Sequence, residues 1–293
     1  MARLGVFIVD VFAEEKYAGN QLAVVTDCAA LSAAAMQQIA RETNFSETTF
    51  ILSGQPHNGG YDVRIFTPAA EIPFAGHPTL GTAFVLRNEM LDHRPETVAL
   101  NLGVGQVPVS FTRDGDGRET LWMRAPQVDL GRIHPREQVA EIVGLSEGDL
   151  DNRLPVQDVS IGISFTVIPV ATLDAMKRAR FNRVAYERQA DVQYPQFLFS
   201  SQTYSPANQF NARMFAESFG VAEDPATGSA NACLGAYLLR HQCRPGDRLD
   251  VRVEQGYEIG RPSLLRIRAA QNASGAEVLV GGHVVPTFRG ELL

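Results

Sequence analysis

The chain is poor in basic residues and in long apolar runs. Its 26 lysines and arginines stand against 33 acidic residues, so the formal charge is -7. That balance, with no cluster of basic residues, argues against a nucleic-acid or anionic-membrane partner. The longest uncharged apolar stretch, Val159 to Leu173, contains Gly162 and Pro169 and is too short to span a bilayer. We therefore expect neither nucleic acid nor a membrane as a partner.

Cysteine is also scarce. The three cysteines form no CxxC pair, and the six histidines show no metal-binding spacing. Such a set is typical of a reducing compartment and indicates no metal site. The apolar segment near the amino terminus ends at Asp10 without a small-residue cleavage site, which favours a strand over a signal peptide. We predict a cytoplasmic protein.

Several enzyme motifs are missing. The sequence contains neither GxGxxG nor GxxxxGK[ST], so nothing in it supports a dinucleotide or P-loop site. The GxSxG elbow is absent as well, which removes the commonest pattern of serine hydrolases.

Two glycine-centred turns, each followed by an apolar helical segment, are the most informative feature that is present. They are Pro73-Phe-Ala-Gly-His-Pro-Thr-Leu-Gly81 and Glu223-Asp-Pro-Ala-Thr-Gly-Ser-Ala230, and Gly228 follows Gly76 by 152 residues. This repeat predicts two related halves. Glycine lets a ligand approach the backbone closely, and the N–H groups at a helix start favour an anion. Gly76, Gly228 and Ser229 are therefore candidate residues for binding a small carboxylate.

Alternating apolar residues predict strands over most of the chain, among them 161–170 and 278–285. Helices are fewer. The segments that favour them are a stretch capped by Ser32, Pro78 to about Asn88, Pro135 to Val143, and Ala230 to Arg240. Asp114-Gly-Asp-Gly117 is predicted as a hairpin turn, because Arg118 breaks its partial likeness to a calcium loop.

Each half is therefore predicted to be a strongly bent sheet around one hydrophobic helix. A doubly wound parallel sheet would alternate strand and helix more regularly, so we predict an α+β fold. The halves are placed at residues 1–118 and 119–293, and it is left open that the C-terminal strand returns to the first half.

Glu47 is the first candidate for the chemistry, since it lies where the first predicted helix gives way to a strand. Phe45, Phe50 and Ile51 would partly desolvate its carboxyl group, and desolvation raises a carboxyl pKa toward neutrality, where a general acid/base works. The alternative is an ordinary solvated loop glutamate.

His77 and Asp224 are the other two candidates, one at each glycine turn. His77 can donate or shuttle a proton near neutral pH, or it can be a cap or packing group at the helix mouth. Asp224 precedes Pro225 and can form a turn by itself, which is compatible with a catalytic role.

Taken together, these segments resemble the phenazine biosynthesis PhzF-like isomerase family, which has the diaminopimelate epimerase fold. The matching stretches span residues 10 to 263. They are Asp10-Val-Phe with Gly19-Asn-Gln-Leu-Ala-Val-Val25, Glu42-Thr-Asn-Phe-Ser-Glu47, Arg64-Ile-Phe-Thr-Pro68, Pro73-Phe-Ala-Gly-His-Pro78, Glu223-Asp-Pro-Ala-Thr-Gly-Ser-Ala230, and Gln255-Gly256 with Gly260-Arg-Pro-Ser263.

The resemblance implies two pseudo-symmetric domains, each a mixed curled sheet or barrel around a central helix, with the active site in the cleft between them. It also implies a cofactor-free enzyme that is commonly a homodimer. In that family the glutamate matching Glu47 moves a proton. The residues matching His77, Asp224 and Ser229, with those matching Gly76 and Gly228, line the site and hold the substrate.

The chain departs from the related epimerases in its cysteines. Those enzymes place a cysteine at each helix start, whereas Ala75 and Asp224-Pro225 occupy these neighbourhoods here. Gln21 also stands where family members often have proline, and we expect it to alter only a turn. The absence of cysteines at the helix starts favours a carboxylate-driven proton shift over thiol chemistry.

We therefore predict a cofactor-independent isomerase of a small carboxylate-bearing substrate, with Glu47 as acid/base. In the family that the chain resembles, the best-known reaction isomerises a dihydro-hydroxyanthranilate on the way to phenazines, and many members have no assigned substrate. The alternatives are a binding protein of the same fold that has lost turnover, an epimerase variant, and a hydrolase that uses Ser46 or Ser229 with His77 and Asp224.

Overall fold

The computed structural model describes residues 4–189, 191–217, 221–272 and 275–292. Its contacts divide the chain into two compact units. The first holds the chain up to Arg124 and again from Gly281, and the second holds Ala125–Val280. Each unit is described separately below.

The first unit is built mainly of strands. In chain order its elements are β1 (Leu4–Val11), β2 (Asn20–Val25), α1 (Ala33–Thr43), β3 (Thr48–Ile51), β4 (Tyr61–Phe66), β5 (Glu71–Ile72), α2 (Gly76–Val85), β6 (Thr97–Leu102), β7 (Gly105–Arg113) and β8 (Glu119–Arg124). The second unit contributes β9 (Asp129–His134), α3 (Arg136–Ile142), β10 (Val156–Ser160), β11 (Ser164–Pro169), α4 (Leu173–Arg178), α5 (Arg183–Arg188), β12 (Gln196–Ser200), β13 (Phe210–Phe215), α6 (Gly228–Arg240), β14 (Arg248–Gln255), β15 (Ser263–Asn272) and β16 (Gly275–Gly282), after which β17 (Val284–Leu292) follows.

The two units share the same order and directions over seven strands. In the first, the order is β17-β1-β2-β3-β4-β6-β7-β8, with β2–β3 and β4–β6 parallel and the other neighbours antiparallel. In the second, the order is β9-β10-β11-β12-β13-β14-β15, with β11–β12 and β13–β14 parallel and the others antiparallel. The internal repeat seen in the sequence is thus a repeat of topology.

Each unit has one helix that is surrounded by its own strands. In the first, α2 is buried along its length apart from Phe84 and packs on strands at both ends of the sheet order, β17 and β8 among them. In the second, α6 is buried apart from Arg240 and packs on β10, β11, β14 and β15. A mixed sheet wrapped around a central apolar helix is the α+β fold that the sequence predicts. No helix among the described residues has the length and hydropathy needed to cross a membrane.

Several predicted boundaries are wrong. The two central helices begin at Gly76 and Gly228, two residues before the predicted starts at Pro78 and Ala230. Pro78 is tolerated as the third helical residue because N–H groups in a first turn have no partner within the helix. The predicted strand 161–170 begins only at Ser164, after a turn at Gly162 (φ 91°), and 278–285 is interrupted at His283. The Asp114–Gly117 segment forms the predicted turn, with the Asp114 N–H donating to Arg118 O at 2.8 Å.

Candidate active site

Glu47 is the last residue of the short connection between α1 and β3. Ser32 caps the start of α1 by accepting a hydrogen bond from Ala35 N–H at 3.2 Å, and the helix ends at Asn44 in the left-handed conformation (φ 53°). The hydroxyls of Thr43 and Thr48 lie 2.7 Å apart and join the two ends of the connection. The side chain of Glu47 is 17% exposed, so its carboxyl group is largely shielded and still reachable.

His77 is the second residue of α2, and its imidazole faces Glu47. The distance from His77 Nε2 to Glu47 Oε2 is 3.4 Å, and the His77 side chain is 6% exposed. Burial lowers the pKa of His77 to about 3, although a hydrogen bond to the Gln21 backbone acts in the opposite direction. The imidazole is therefore neutral near pH 7.

The hydrogen bonds of His77 fix which ring nitrogen carries the proton. Its Nε2 has no hydrogen-bond partner within the described residues, so the bond to the Gln21 carbonyl is donated by Nδ1. A neutral imidazole has one N–H and one lone pair, so the lone pair is on Nε2 and faces Glu47. A proton on Glu47 Oε2 would turn this contact into an O–H···N hydrogen bond. The Glu47–His77 pair can thus hold and release one proton.

The start of α2 leaves backbone N–H groups without a side-chain cap. The N-cap residue, Ala75, is extended and has no side-chain oxygen, and the hydroxyl of Thr79 donates to Ala75 O at 2.7 Å. Gly76, the first helical residue, is buried. First-turn N–H groups with no capping side chain are suited to an anion.

In the second unit, Asp224 begins the turn that leads into α6. The Asp224 N–H donates to Met214 O at 3.0 Å, and the Asp224 carboxylate accepts a hydrogen bond from the Thr227 hydroxyl. Thr227 is the N-cap residue, but its side chain makes no capping bond to the helix. Gly228 and Ser229 are the first two residues of α6 and both are buried.

The structure thus groups the predicted site residues by unit. Glu47, Gly76 and His77 lie together in the first unit, with Glu47 and His77 in direct contact. Asp224 is joined in the second unit to the turn that precedes Gly228 and Ser229.

Sequence reasoning missed the residues that hold these groups in place. The Gln21 carbonyl fixes the tautomer of His77, and the buried side chain of Gln255 bonds the Asp224 turn. Gln255 stands in one of the stretches that carry the family resemblance, yet no spacing in the sequence relates it to Asp224. Its signal is its burial, which requires coordinates.

The two buried cysteines, Cys28 and Cys233, do not provide thiolates. Burial, with a smaller contribution from Asp27, raises the pKa of Cys28 to about 12, and burial also raises the pKa of Cys233. Both thiols stay protonated at neutral pH, which fits the expectation that thiol chemistry is absent.

Comparisons with known proteins place the chain in a family. The model of the family described as "Phenazine biosynthesis-like protein" matches residues 9–290. An "Uncharacterized isomerase mll1393" from Mesorhizobium japonicum is 32% identical over 97% of this chain and 97% of its own length. A "Trans-2,3-dihydro-3-hydroxyanthranilate isomerase" from Pseudomonas fluorescens is 34% identical over 98% of each chain.

Solved structures agree on the fold. The phenazine biosynthesis protein of the PhzF family from Bacillus anthracis superimposes with a TM-score of 0.91 at 26% identity and covers 100% of both chains. A hydroxyproline epimerase from Agrobacterium vitis superimposes with a TM-score of 0.61 at 11% identity, over 99% of this chain and 92% of its own, and shows the fold alone. The predicted fold and the family resemblance are both confirmed, and the chain belongs to the phenazine biosynthesis-like protein family.

Proposed function

We propose that the chain, an isomerase of the phenazine biosynthesis-like family, moves a proton between two positions of a small carboxylate-bearing substrate without a cofactor. Glu47 is the acid/base. The observation that carries this proposal is the contact between Glu47 and a neutral His77 whose lone pair faces the carboxyl group.

The pair suits a proton shift because each protonation state of Glu47 has a role. As a carboxylate, Glu47 takes a proton from an acidic carbon of the substrate. Once protonated, it donates a hydrogen bond to His77 Nε2, which stabilises the acid until the proton returns at another position of the conjugated system. His77 stays neutral throughout because burial disfavours its charged form.

The helix starts provide the substrate-holding part of the proposal. The uncapped N–H groups at Gly76 and at Gly228, with the Ser229 hydroxyl, are donors for the substrate carboxylate and for charge that develops during the reaction. A well-placed donor of this kind is commonly worth about 3 kcal/mol of transition-state stabilisation.

The test uses trans-2,3-dihydro-3-hydroxyanthranilate, the compound in the name of the Pseudomonas fluorescens relative, in heavy water. Proton NMR follows deuterium incorporation. We expect incorporation with the wild-type protein and a loss of at least about 100-fold in Glu47→Gln, since an amide cannot accept the proton. Glu42→Gln, an exposed residue of α1 changed in the same way, should exchange at the wild-type rate. Full turnover by Glu47→Gln would overturn the assignment.

The alternative functions, a binding protein and a hydrolase, predict different results in the same samples. Binding of the compound without exchange would favour a protein that has lost turnover. Labelling of the wild-type protein by a serine-directed fluorophosphonate would favour the hydrolase.

The homodimer implied by the family resemblance is proposed for this chain, and sedimentation measurements test it.

A further inference from the structure

Gln255 is the last residue of β14, and its amide makes four hydrogen bonds inside the second unit. Its side chain is fully buried. Nε2 donates to the Asp224 carbonyl at 2.9 Å and to Thr227 Oγ1 at 3.1 Å. Oε1 accepts from Thr227 N–H at 3.2 Å and from Asn231 Nδ2 at 2.9 Å. Both N–H groups and both lone pairs of the amide are thus used.

Two of these bonds fix the orientation of the amide. A backbone N–H can only donate and a backbone carbonyl can only accept, so Oε1 must face Thr227 N–H and Nε2 must face Asp224 O. The flipped amide would place a donor against a donor and an acceptor against an acceptor. Nε2 is therefore a donor toward the Thr227 hydroxyl.

The orientation of the amide sets the direction of the next hydrogen bond. Thr227 Oγ1 has contacts with Gln255 Nε2 and with Asp224 Oδ2. Of these two atoms, only the carboxylate oxygen can accept the hydroxyl proton. The chain of donors therefore runs from Gln255 through Thr227 to Asp224, and a hydrogen bond to a carboxylate favours its ionised form.

The first unit shows that a turn of this kind folds without the amide. In each unit the proline three residues before the helix start is approached by a glycine that follows a strand: a Cβ on Gly103 would lie 2.9 Å from Pro73 Cα, and one on Gly256 would lie 3.1 Å from Pro225 Cα. The residue before Gly256 is Gln255, whereas the residue before Gly103 is Leu102, which is buried and apolar. The close approach is common to both turns, and the amide is specific to the turn that carries Asp224.

We propose that Gln255 is a positioning residue for Asp224, which it keeps ionised by directing the Thr227 hydroxyl onto the carboxylate. Asp224 then accepts a hydrogen bond from an ammonium or hydroxyl group of the substrate and does not supply a proton. This role rests on the proposed function, in which Asp224 contacts the substrate. The orientation of the hydrogen-bond chain itself is independent of turnover.

The test follows Asp224 directly, by the carboxyl carbon shift of 13C-labelled aspartate during a pH titration of the 293-residue chain. Asp224→Asn assigns the signal. In Thr227→Val the isosteric side chain has no hydroxyl, and in Gln255→Glu the carboxylate cannot donate to Thr227. We expect each change to move the titration midpoint of Asp224 up by about one pH unit, the tenfold effect of losing one hydrogen bond to a charged group.

Two controls separate positioning from a general effect on folding. Thr227→Ser keeps the hydroxyl and should keep the wild-type midpoint. Gln209→Glu makes the same substitution at a glutamine that bonds the backbone of Ala207 and Arg252, and should leave the midpoint in place. Gln255→Glu also places a charge near Asp224 that raises its pKa by repulsion, so support for the proposal requires a shift in Thr227→Val as well. Circular dichroism verifies the folding of each variant. An unshifted midpoint in a folded variant would overturn the proposal.

The kinetic readout distinguishes this proposal from the proposed function. If the wild-type enzyme turns over substrate, the acid limb of the pH profile of kcat/KM should move with the titration midpoint. A shifted midpoint together with full turnover by Glu47→Gln would contradict the proposed function and leave the role of Gln255 intact. The expected loss of turnover in Glu47→Gln, together with an unshifted midpoint in Thr227→Val or Gln255→Glu, would support the proposed function and contradict the role of Gln255.

Discussion

His77 is a buried imidazole whose two nitrogens have different surroundings. Its bond to the Gln21 carbonyl orients the ring, and its lone pair faces Glu47 at 3.4 Å. If the ring were protonated, the Glu47 carboxylate would become half of an ion pair and a weaker base. Keeping His77 neutral therefore preserves the basicity on which the proposed proton shift depends.

The low pKa of His77 should make stability depend on pH. In the folded chain this pKa is about 3, against an ordinary value of 6.5. Between these two pH values the unfolded chain binds a proton that the folded chain does not, so the free energy of unfolding falls as pH falls. From pH 7 to pH 5 we expect the wild-type protein to lose about 2 kcal/mol more than His77→Gln.

Urea unfolding at the two pH values checks this expectation. His241, whose pKa is also lowered by burial, is present in both proteins, so its effect cancels in the comparison. Parallel pH dependence in the wild-type protein and His77→Gln would show that His77 titrates normally in the folded state.

At the scale of single elements, α2 depends on a glycine for its close packing. A Cβ on Gly81 would lie 2.6 Å from Leu22 Cδ2 and 2.9 Å from Val11 Cγ2. These side chains belong to β2 and β1, so the helix axis approaches the strands more closely than alanine permits. Glycine costs helix stability, and here that cost is offset by packing on the sheet.

Gly81→Ala should therefore destabilise the first unit, although alanine is the better helix former. We expect a loss of about 1–3 kcal/mol, the usual cost of overpacking a core. Gly115→Ala is the matched control, because a Cβ there meets nothing within 4 Å. Thermal unfolding compares the two variants, and an unchanged or raised midpoint in Gly81→Ala would contradict the packing argument.

The sequence does not predict β13, α4 and α5, for two physical reasons. All six residues of β13 are buried, yet two of them are Asn211 and Arg213, which interrupt the apolar pattern. Arg213 is accommodated by a bidentate pair with Glu223 at 2.9 and 2.7 Å and by two backbone carbonyls. A buried charge is recognisable only once its partners are known, and these lie on other elements. The helices α4 and α5 are too short to show a period.

The candidate site is likewise only partly predictable from the sequence. Glu47 and His77 were each identified from their place beside a helix end, and their contact required the fold. Gln255 could not be identified, because its importance arises from four hydrogen bonds to residues 24 to 31 positions away. Local sequence thus indicates which groups have useful chemistry, whereas the positioning residues depend on tertiary contacts.

At the scale of the whole molecule, the two units repeat one topology with different chain order at their edges. In the second unit the edge strand β9 directly precedes the repeat and pairs with β10. In the first, the same place beside β1 is taken by β17, which comes from the other end of the described chain. The first unit is therefore complete only after all of the second has been made.

Removing residues 284–293 should consequently loosen the first unit and spare the second. The deletion removes eight residue pairs between β1 and β17, from Leu4 with Leu292 to Val11 with Val284. The loss of even one or two net hydrogen bonds raises the local opening equilibrium at least about tenfold. Amides of β1 and β2 should therefore exchange at least about tenfold faster. Amides of β10 to β12 should keep their protection. Hydrogen exchange followed by mass spectrometry measures both sets in one sample.

Deleting only residues 291–293 removes the pairs at Gly5 and Leu4 and should leave Val9 to Val11 protected. Equal loss of protection in both units would show that they unfold as one cooperative body.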